Sequence, residues 1–408
     1  MNDFTAELAL RLEEIRRQGL YRELRRVDSP QSPRARMAGR DLLNFSSNDY
    51  LGLANHPRLN EASIRAVERF GSGSGASRLI CGSLACHHEL EEALAAFKNT
   101  EAALAFSSGY AAANGVIAAV IGKDDIIVLD KLVHACIIDA ARLTGAKLRI
   151  FAHNDLNELE DILRWTNQRA VATTSARSSR TLIVTESVFS MDGDFAPLRE
   201  IVSLKEKYGA WLMVDEAHAT GLYGKNRRGL AEELQVSENI EIQMGTMGKA
   251  LGSAGGYITG SRTLIEYLIN RARTFIFSTA PVPAASAAAR AAVELVQSPE
   301  GLARNNHLWS LVDQIKNGLR QNGWTLSDFP SAIVPLIIGA EADALAAAAA
   351  LRESGIYIPA IRYPTVARGQ ARLRLTLTAA HTSEEADRFF QALTSALPTP
   401  HSALRTSP

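Results

Sequence analysis

Residues 212–218 read Leu212-Met213-Val214-Asp215-Glu216-Ala217-His218, an apolar run that breaks into two acids and a histidine. A short apolar run bounded by polar residues reads as a strand. Six further runs share the pattern: Ala102–Phe106, Ile126–Leu129, Leu148–Phe151, Leu182–Thr185, Ile240–Met244 and Tyr257–Thr259, with longer helical patterns between them. Such alternation predicts a mostly parallel sheet wrapped by helices, hence an α/β fold.

In an open sheet of this kind, ligands bind outside the carboxyl ends of the strands. Several runs end in chemistry-bearing residues. Asp130 and His134 follow the second run, Glu186 and Ser190 follow Leu182–Thr185, and Thr246 and Lys249 follow Ile240–Met244. Taken singly, each also fits a strand-end cap or a solvated polar group. The conjunction is more informative. Ser108 and Gly109 open a helix after Ala102–Phe106, and the free amides and positive dipole end there make a phosphate seat. Lys249 lies in Gly245-Thr-Met-Gly-Lys-Ala-Leu-Gly252, where glycines let another group approach the backbone. Together these residues suggest a phosphorylated cofactor held through a lysine.

Outward from this body the pattern changes. Leu8, Leu12 and Ile15 mark an amphipathic helix, and Asp28-Ser-Pro-Gln-Ser-Pro33 breaks it, so residues 1–55 read as an N-terminal helical arm. Residues 56–285 read as the large domain, and the Ala-rich stretch Ala280–Val296 as a connecting helix. Strand Ser331–Ile338, helix Ala342–Ser354 and the alternating strand Ala371–Thr378 make residues 286–398 a small α+β domain, with a frayed tail at 399–408. In the alternating strand, Arg372, Arg374 and Thr376 share one face while Leu373, Leu375 and Leu377 face the core.

The 408 residues carry 44 Lys+Arg against 44 Asp+Glu. That balance argues against capture by a nucleic-acid backbone or an anionic membrane, both of which need a basic excess. Three scattered cysteines form no disulfide framework, the N-terminus lacks the apolar core of a signal peptide, and no apolar run approaches the ~20 residues of a membrane span. A cytoplasmic protein is expected.

Three competing motifs fail on their context. Val214-Asp-Glu-Ala-His218 is also the acidic box of some helicases, but their phosphate loop G-x-x-x-x-G-K-[ST] is missing at the Gly-Lys pairs 122–123, 224–225 and 248–249. Gly71-Ser-Gly-Ser-Gly-Ala76 matches a dinucleotide fingerprint in form, yet it follows a helical pattern rather than a strand and reads as a flexible turn. Cys81-x4-Cys86-His87-His88 has adjacent candidate ligands at an unfamiliar zinc spacing, so buried thiols and a helix start are expected, with no metal.

The segments Asn44-Phe-Ser-Ser-Asn-Asp-Tyr-Leu-Gly-Leu53, Ser107-Ser-Gly-Tyr110, Leu132-Val-His134-Ala, Ser187-Val-Phe-Ser-Met-Asp-Gly-Asp194, Val214–His218 and Gly245–Gly252 resemble, in order, the α-oxoamine synthases. These are pyridoxal 5'-phosphate (PLP) enzymes of transferase fold type I, the aspartate aminotransferase-like fold. The resemblance spans about residues 15–395. It implies a seven-stranded, mostly parallel large domain and a homodimer whose site is shared between chains.

By this resemblance Lys249 carries the cofactor and then acts as the base. Asp215 pairs with the pyridine nitrogen, His134 lies over the ring, and His218 and Ser190 bond its phenolic oxygen. Ser108, Gly109, Tyr110 and Thr246 hold the phosphate, with Ser278 and Thr279 reaching it in the partner's site, and Glu186 belongs to the cofactor set. Arg374 suits the amino-acid carboxylate. Arg22, Asn48 and Thr365 match positions near the acyl substrate, although bases at 16, 17, 25 and 26 leave a solvated helix face as the other reading of Arg22. The stretches Ile358-Pro-Ala-Ile-Arg362-Tyr-Pro-Thr365 and Ala371–His381 point to family members that condense L-alanine with pimeloyl-CoA or a pimeloyl-acyl carrier protein in biotin biosynthesis. Sister enzymes that use glycine with acetyl-CoA or succinyl-CoA are the alternative. A non-catalytic partner subunit would lack the lysine.

Overall fold

The structure, a computed structural model, describes residues 3–172 and 179–396, so the expected tail after Pro398 lies outside the described residues. The chain divides into two compact units. One holds residues 51–190 and 194–305; the other holds the chain up to Tyr50, residues 191–193 and everything from Asn306 on.

Helix Phe4–Arg17 opens the chain, with Asp3 accepting from the Thr5 amide at 3.0 Å as its N-cap. The helix forms as the periodicity predicts, yet none of its residues is buried, and Leu8 and Leu12 are about 40% exposed. Next come β1 (Arg34–Met37) and β2 (Arg40–Asn44), paired antiparallel.

The larger unit carries β3 (Ala102–Phe106), β4 (Ile126–Asp130), β5 (Lys147–Phe151), β6 (Thr181–Glu186), β7 (Trp211–Asp215), β8 (Ile242–Thr246) and β9 (Gly256–Gly260). They form one seven-stranded sheet in the order β3-β9-β8-β7-β6-β4-β5. Only β9 runs antiparallel to its neighbours, so this is the mostly parallel α/β sheet expected. Each strand lies within two residues of its apolar run; β8 starts at Ile242 rather than Ile240, two residues after the short 3₁₀ turn Ser237–Asn239. Every residue of β4 is buried. Helices Gly109–Val120 and Ala135–Leu143 pack Val116, Ile117 and Ile137 against Leu104, Leu129 and Met213 of the sheet. Burial of each such side chain stabilises by about 1.5–3 kcal/mol.

The smaller unit contains β10 (Ile333–Gly339), β11 (Ile356–Tyr357), β12 (Ala360–Ile361) and β13 (Ala371–Thr376). β10, β13 and β12 form an antiparallel sheet, while β11 pairs parallel with β2 through Leu43↔Ile356 and Asn44↔Tyr357. That pairing, with the Thr376 amide donating to the Phe45 carbonyl at 2.8 Å, groups the first fifty residues with the C-terminal body rather than leaving a separate arm. The division between units falls at Asn305–Asn306, inside helix Pro299–Gln321, and the Ala-rich helix Pro283–Gln297 belongs wholly to the larger unit.

Two expectations need correction. Along β13 the side chains do alternate, but all six residues are buried, so the face bearing Arg372 and Arg374 is covered too. Arg372 ends on Asp192 Oδ1 at 2.5 Å and on the Met191 carbonyl, which compensates its buried charge. Cys86 is buried in the first turn of helix Ala85–Lys98, whereas Cys81 is exposed. The Gly71–Gly75 stretch is a turn after helix Pro57–Phe70, with Gly71 and Gly75 at φ +82 and +73. Among the described residues no cluster of His, Cys, Asp and Glu could hold a metal ion, and no helix is long and apolar enough to cross a membrane.

Candidate active site

β6 and β7 are in register so that their last residues, Glu186 and Asp215, lie side by side. Both are buried, which disfavours their charged forms. Burial, reinforced by the neighbouring Asp215 charge, raises Glu186 to about 8. Burial also raises Asp215, but Lys249, the Ala217 amide at 2.8 Å and His134 all work in the opposite direction. Glu186 therefore holds its proton at neutral pH, beside an Asp215 whose burial is opposed by these three groups. Glu186 Oε1 is buried without a hydrogen-bond partner, at a cost of about 1–3 kcal/mol unless a bound group satisfies it.

Lys249 sits half-buried in the turn after β8, where its carbonyl accepts from the Gly252 amide at 2.8 Å. Its charge acts on Asp215, Glu186 and His134 alike, so the four groups share one electrostatic neighbourhood. His134 caps helix Ala135–Leu143, its Nδ1 accepting from the Cys136 amide at 3.2 Å. Desolvation, aided by Lys249 and opposed by Asp215, lowers the imidazole below its usual range and leaves it neutral at pH 7. Buried His218 follows Asp215 in the same turn, and half-buried Ser190 follows Glu186.

Beside this cluster, Ser108 caps helix Gly109–Val120 by accepting from the Ala111 amide at 3.0 Å, leaving the positive end of the helix at the sheet edge. A Cβ on Gly109 would stand 3.7 Å from Thr246 Cβ, so Thr246 adjoins the helix start. Gly256 makes this proximity feasible, since a Cβ there would lie 2.6 Å from Gly109 Cα. Tyr110 is half exposed and donates to Asp139 at 2.8 Å. Thr279 is exposed and bridges Ser77, and half-buried Ser278 precedes it.

In the smaller unit, buried Arg374 donates to Asn48 Oδ1 and Thr376 Oγ1, both at 3.1 Å, so two expected substrate residues meet. Arg22 and Thr365 line a cavity of about 770 Å³ together with Arg25, Arg362 and Tyr357. Arg22 is not on a helix face, because the first helix ends at Arg17.

One supporting contact had no signal in the sequence. Behind Asp215, Lys98 and Glu216 form an ion pair at 2.5 Å with both side chains 1% exposed, and Glu216 also accepts from the Ala231 amide. These residues are too far apart in sequence for spacing to connect them.

The architecture and the cluster have counterparts. The model of the family "Aminotransferase class I and II" matches residues 40–393. The 8-amino-7-oxononanoate synthase of Geobacter sulfurreducens is 47% identical over 389 residues, covering 95% of this chain and 97% of that protein. A serine palmitoyltransferase from S. paucimobilis, solved with bound PLP and myriocin, superposes with a TM-score of 0.88 at 29% identity, covering 97% of this chain and 98% of that one. The 8-amino-7-oxononanoate synthase of Francisella tularensis superposes with a TM-score of 0.73 at 27% identity, over 88% of this chain and 98% of that one. With its lysine, paired acids and helix-start seat on the edge of this sheet, the chain belongs to the aminotransferase class I and II family and, within it, to the α-oxoamine synthases.

Proposed function

We propose that the chain has 8-amino-7-oxononanoate synthase activity, condensing L-alanine with a pimeloyl thioester of CoA or acyl carrier protein and releasing CO₂ and the free thiol, as a cytoplasmic homodimer in biotin biosynthesis. The observation that carries the chemistry is the side-by-side placement of Glu186 and Asp215 at a strand edge, with the Lys249 charge acting on both, beside a helix start. Near-full-length likeness to 8-amino-7-oxononanoate synthases supports the substrates.

The residues present fit PLP, with a lysine for its aldehyde, a buried acid for its ring nitrogen, an unsatisfied Glu186 oxygen and a helix N-terminus for its phosphate. Bound there, PLP supplies an electron sink for the carbanion formed at the amino-acid Cα. Asp215 would hold the ring nitrogen and favour its protonated form. The Lys249 amine removes the Cα proton and later returns one to the product. His134 would restrain the cofactor ring and contact the substrate, and His218 and Ser190 would hold the ring's phenolic oxygen. Ser108, Gly109, Tyr110 and Thr246 seat the phosphate, and Ser278 and Thr279 serve the site of a second copy. Arg374 holds the alanine carboxylate. Arg22, Asn48 and Thr365 contact the acyl substrate.

The test is turnover of L-alanine with pimeloyl-CoA or pimeloyl-acyl carrier protein against glycine with acetyl-CoA or succinyl-CoA, read by mass spectrometry. A product only from glycine overturns the substrate assignment.

A further inference from the structure

Strand β5 is the edge of the sheet, next to β4 and two places from β6. The loop after β4 carries His134, and the loop after β6 carries Ser190. At the exit of β5 stand His153 and Asn154, which take no part in the chemistry above. His153 Nδ1 contacts Asp130 Oδ1 at 3.0 Å, at the start of the first loop, and Nε2 contacts Asp194 Oδ2 at 2.7 Å, at the end of the second. Carboxylates only accept, so both ring nitrogens donate and the ring is an imidazolium. Burial opposes that charge, but the hydrogen bonds to Asp130 and Asp194 overcome it and raise the group to about 10. Asn154 repeats the connection: its amide donates to Asp130 Oδ2 at 2.9 Å and its Nδ2 to the Phe195 carbonyl at 3.0 Å.

The pair is held firmly on its own side. The Lys131 amide donates to the Phe151 carbonyl at 3.0 Å. Asp155 caps helix Leu156–Ala172 by accepting from the Glu158 amide at 3.0 Å, and the Glu158 carboxylate accepts from the Ala152 amide at 2.6 Å, tying the helix start back to the exit of β5. The His153 ring also stands edge-on to Phe189, with centroids 4.3 Å apart. Asp194 Oδ1 and Asn154 Oδ1 are buried without partners, so the assembly retains unsatisfied polar atoms that a purely structural packing would discard.

We infer that His153 and Asn154 are positioning residues: they hook the loop bearing His134 to the loop bearing Ser190 and so hold both side chains in place for the reaction. This rests on the reading that the two loops face PLP. Neither residue touches the reacting atoms. A misplacement of about 1 Å in such a group can cost 10²-fold in rate.

The test uses full-length, PLP-loaded protein. His153→Phe keeps the ring volume and removes both donors; Asn154→Gly removes one hook and tolerates φ +58. His153→Phe should lower kcat by about 10–100-fold with the KM for alanine changed less than about threefold, and should alter the visible circular dichroism of bound PLP. Asn154→Gly should move both readouts in the same direction by a smaller factor, and it decides the matter should His153→Phe fail to fold. In a His134→Ala background either change should cost much less than in the wild type, because both act largely through His134. Lowered thermal stability with kcat and dichroism unchanged, or effects that multiply fully with His134→Ala, overturns the inference. A wild type that neither binds PLP nor turns over overturns the functional reading instead.

Discussion

The carboxyl edge of the seven-stranded sheet and the arginine-lined cavity of the smaller unit hold their polar residues in opposite ways. At the edge, Glu186, Asp215 and His218 are buried, and the charges of Asp215 and Lys249 act on Glu186. In the cavity, Arg22 and Thr365 are exposed. Exposed arginines gain little until something covers them, whereas buried groups are fixed in advance and their field is strong in a medium that screens poorly. Arg374 shows that the contrast concerns burial rather than location, because it lies in the smaller unit yet is buried among Asn48, Thr376 and Tyr50.

Substitutions at the sheet edge should therefore cost more than those in the exposed cavity. Lys249→Ala should abolish the visible absorption of lysine-bound PLP and lower turnover by about 10⁴-fold, as expected for loss of the base. Asp215→Asn should leave the fold intact and cost about 10²–10³-fold in kcat, because a neutral amide no longer holds the ring proton. Near-normal turnover in stopped assays would contradict the role given to Asp215. Arg374→Ala should raise the KM for alanine by about 10–100-fold, the range of a lost charge-assisted bond, without changing PLP content. Arg22→Ala should raise the KM for the acyl donor by about fivefold or less. A cost for Arg22→Ala equal to that of Asp215→Asn would break the contrast.

The last test concerns pH. Glu186 titrates near 8 in the folded protein against roughly 4.3 in an unfolded chain. Its contribution to stability is complete below pH 4.3 and is lost as pH rises through 8. Thermal melts of Glu186→Gln should thus fall less than those of the wild type between pH 5 and 9, by a few degrees at most. Parallel curves would show that Glu186 does not hold the proton.

Most of the edge was legible in the sequence, because strands buried on both faces make apolar runs and the residues after them emerge at one place. The positions of Lys249, Asp215 and His134, at or just after the ends of β8, β7 and β4, follow from this pattern. What the sequence hid were contacts between residues far apart along the chain, such as Lys98 with Glu216 or His153 with Asp194, which no local period encodes. Burial of the arginine face of β13 was equally hidden. Alternation assigns a side chain to a face, but whether that face is covered depends on segments such as Met191–Gly193 arriving from elsewhere.

The parallel pairing of β2 with β11 also constrains synthesis. Leu43 leaves the ribosome more than three hundred residues before Ile356, its partner in the finished sheet. At roughly 5–20 residues per second, that interval is on the order of 15–60 s. All of the larger unit is translated in the meantime, so it can fold while the first fifty residues still wait. During this delay Leu43 and Phe45, both buried at the end, remain without Ile356, His381 and Phe389. The earliest residues of the chain are thus among the last to find their place.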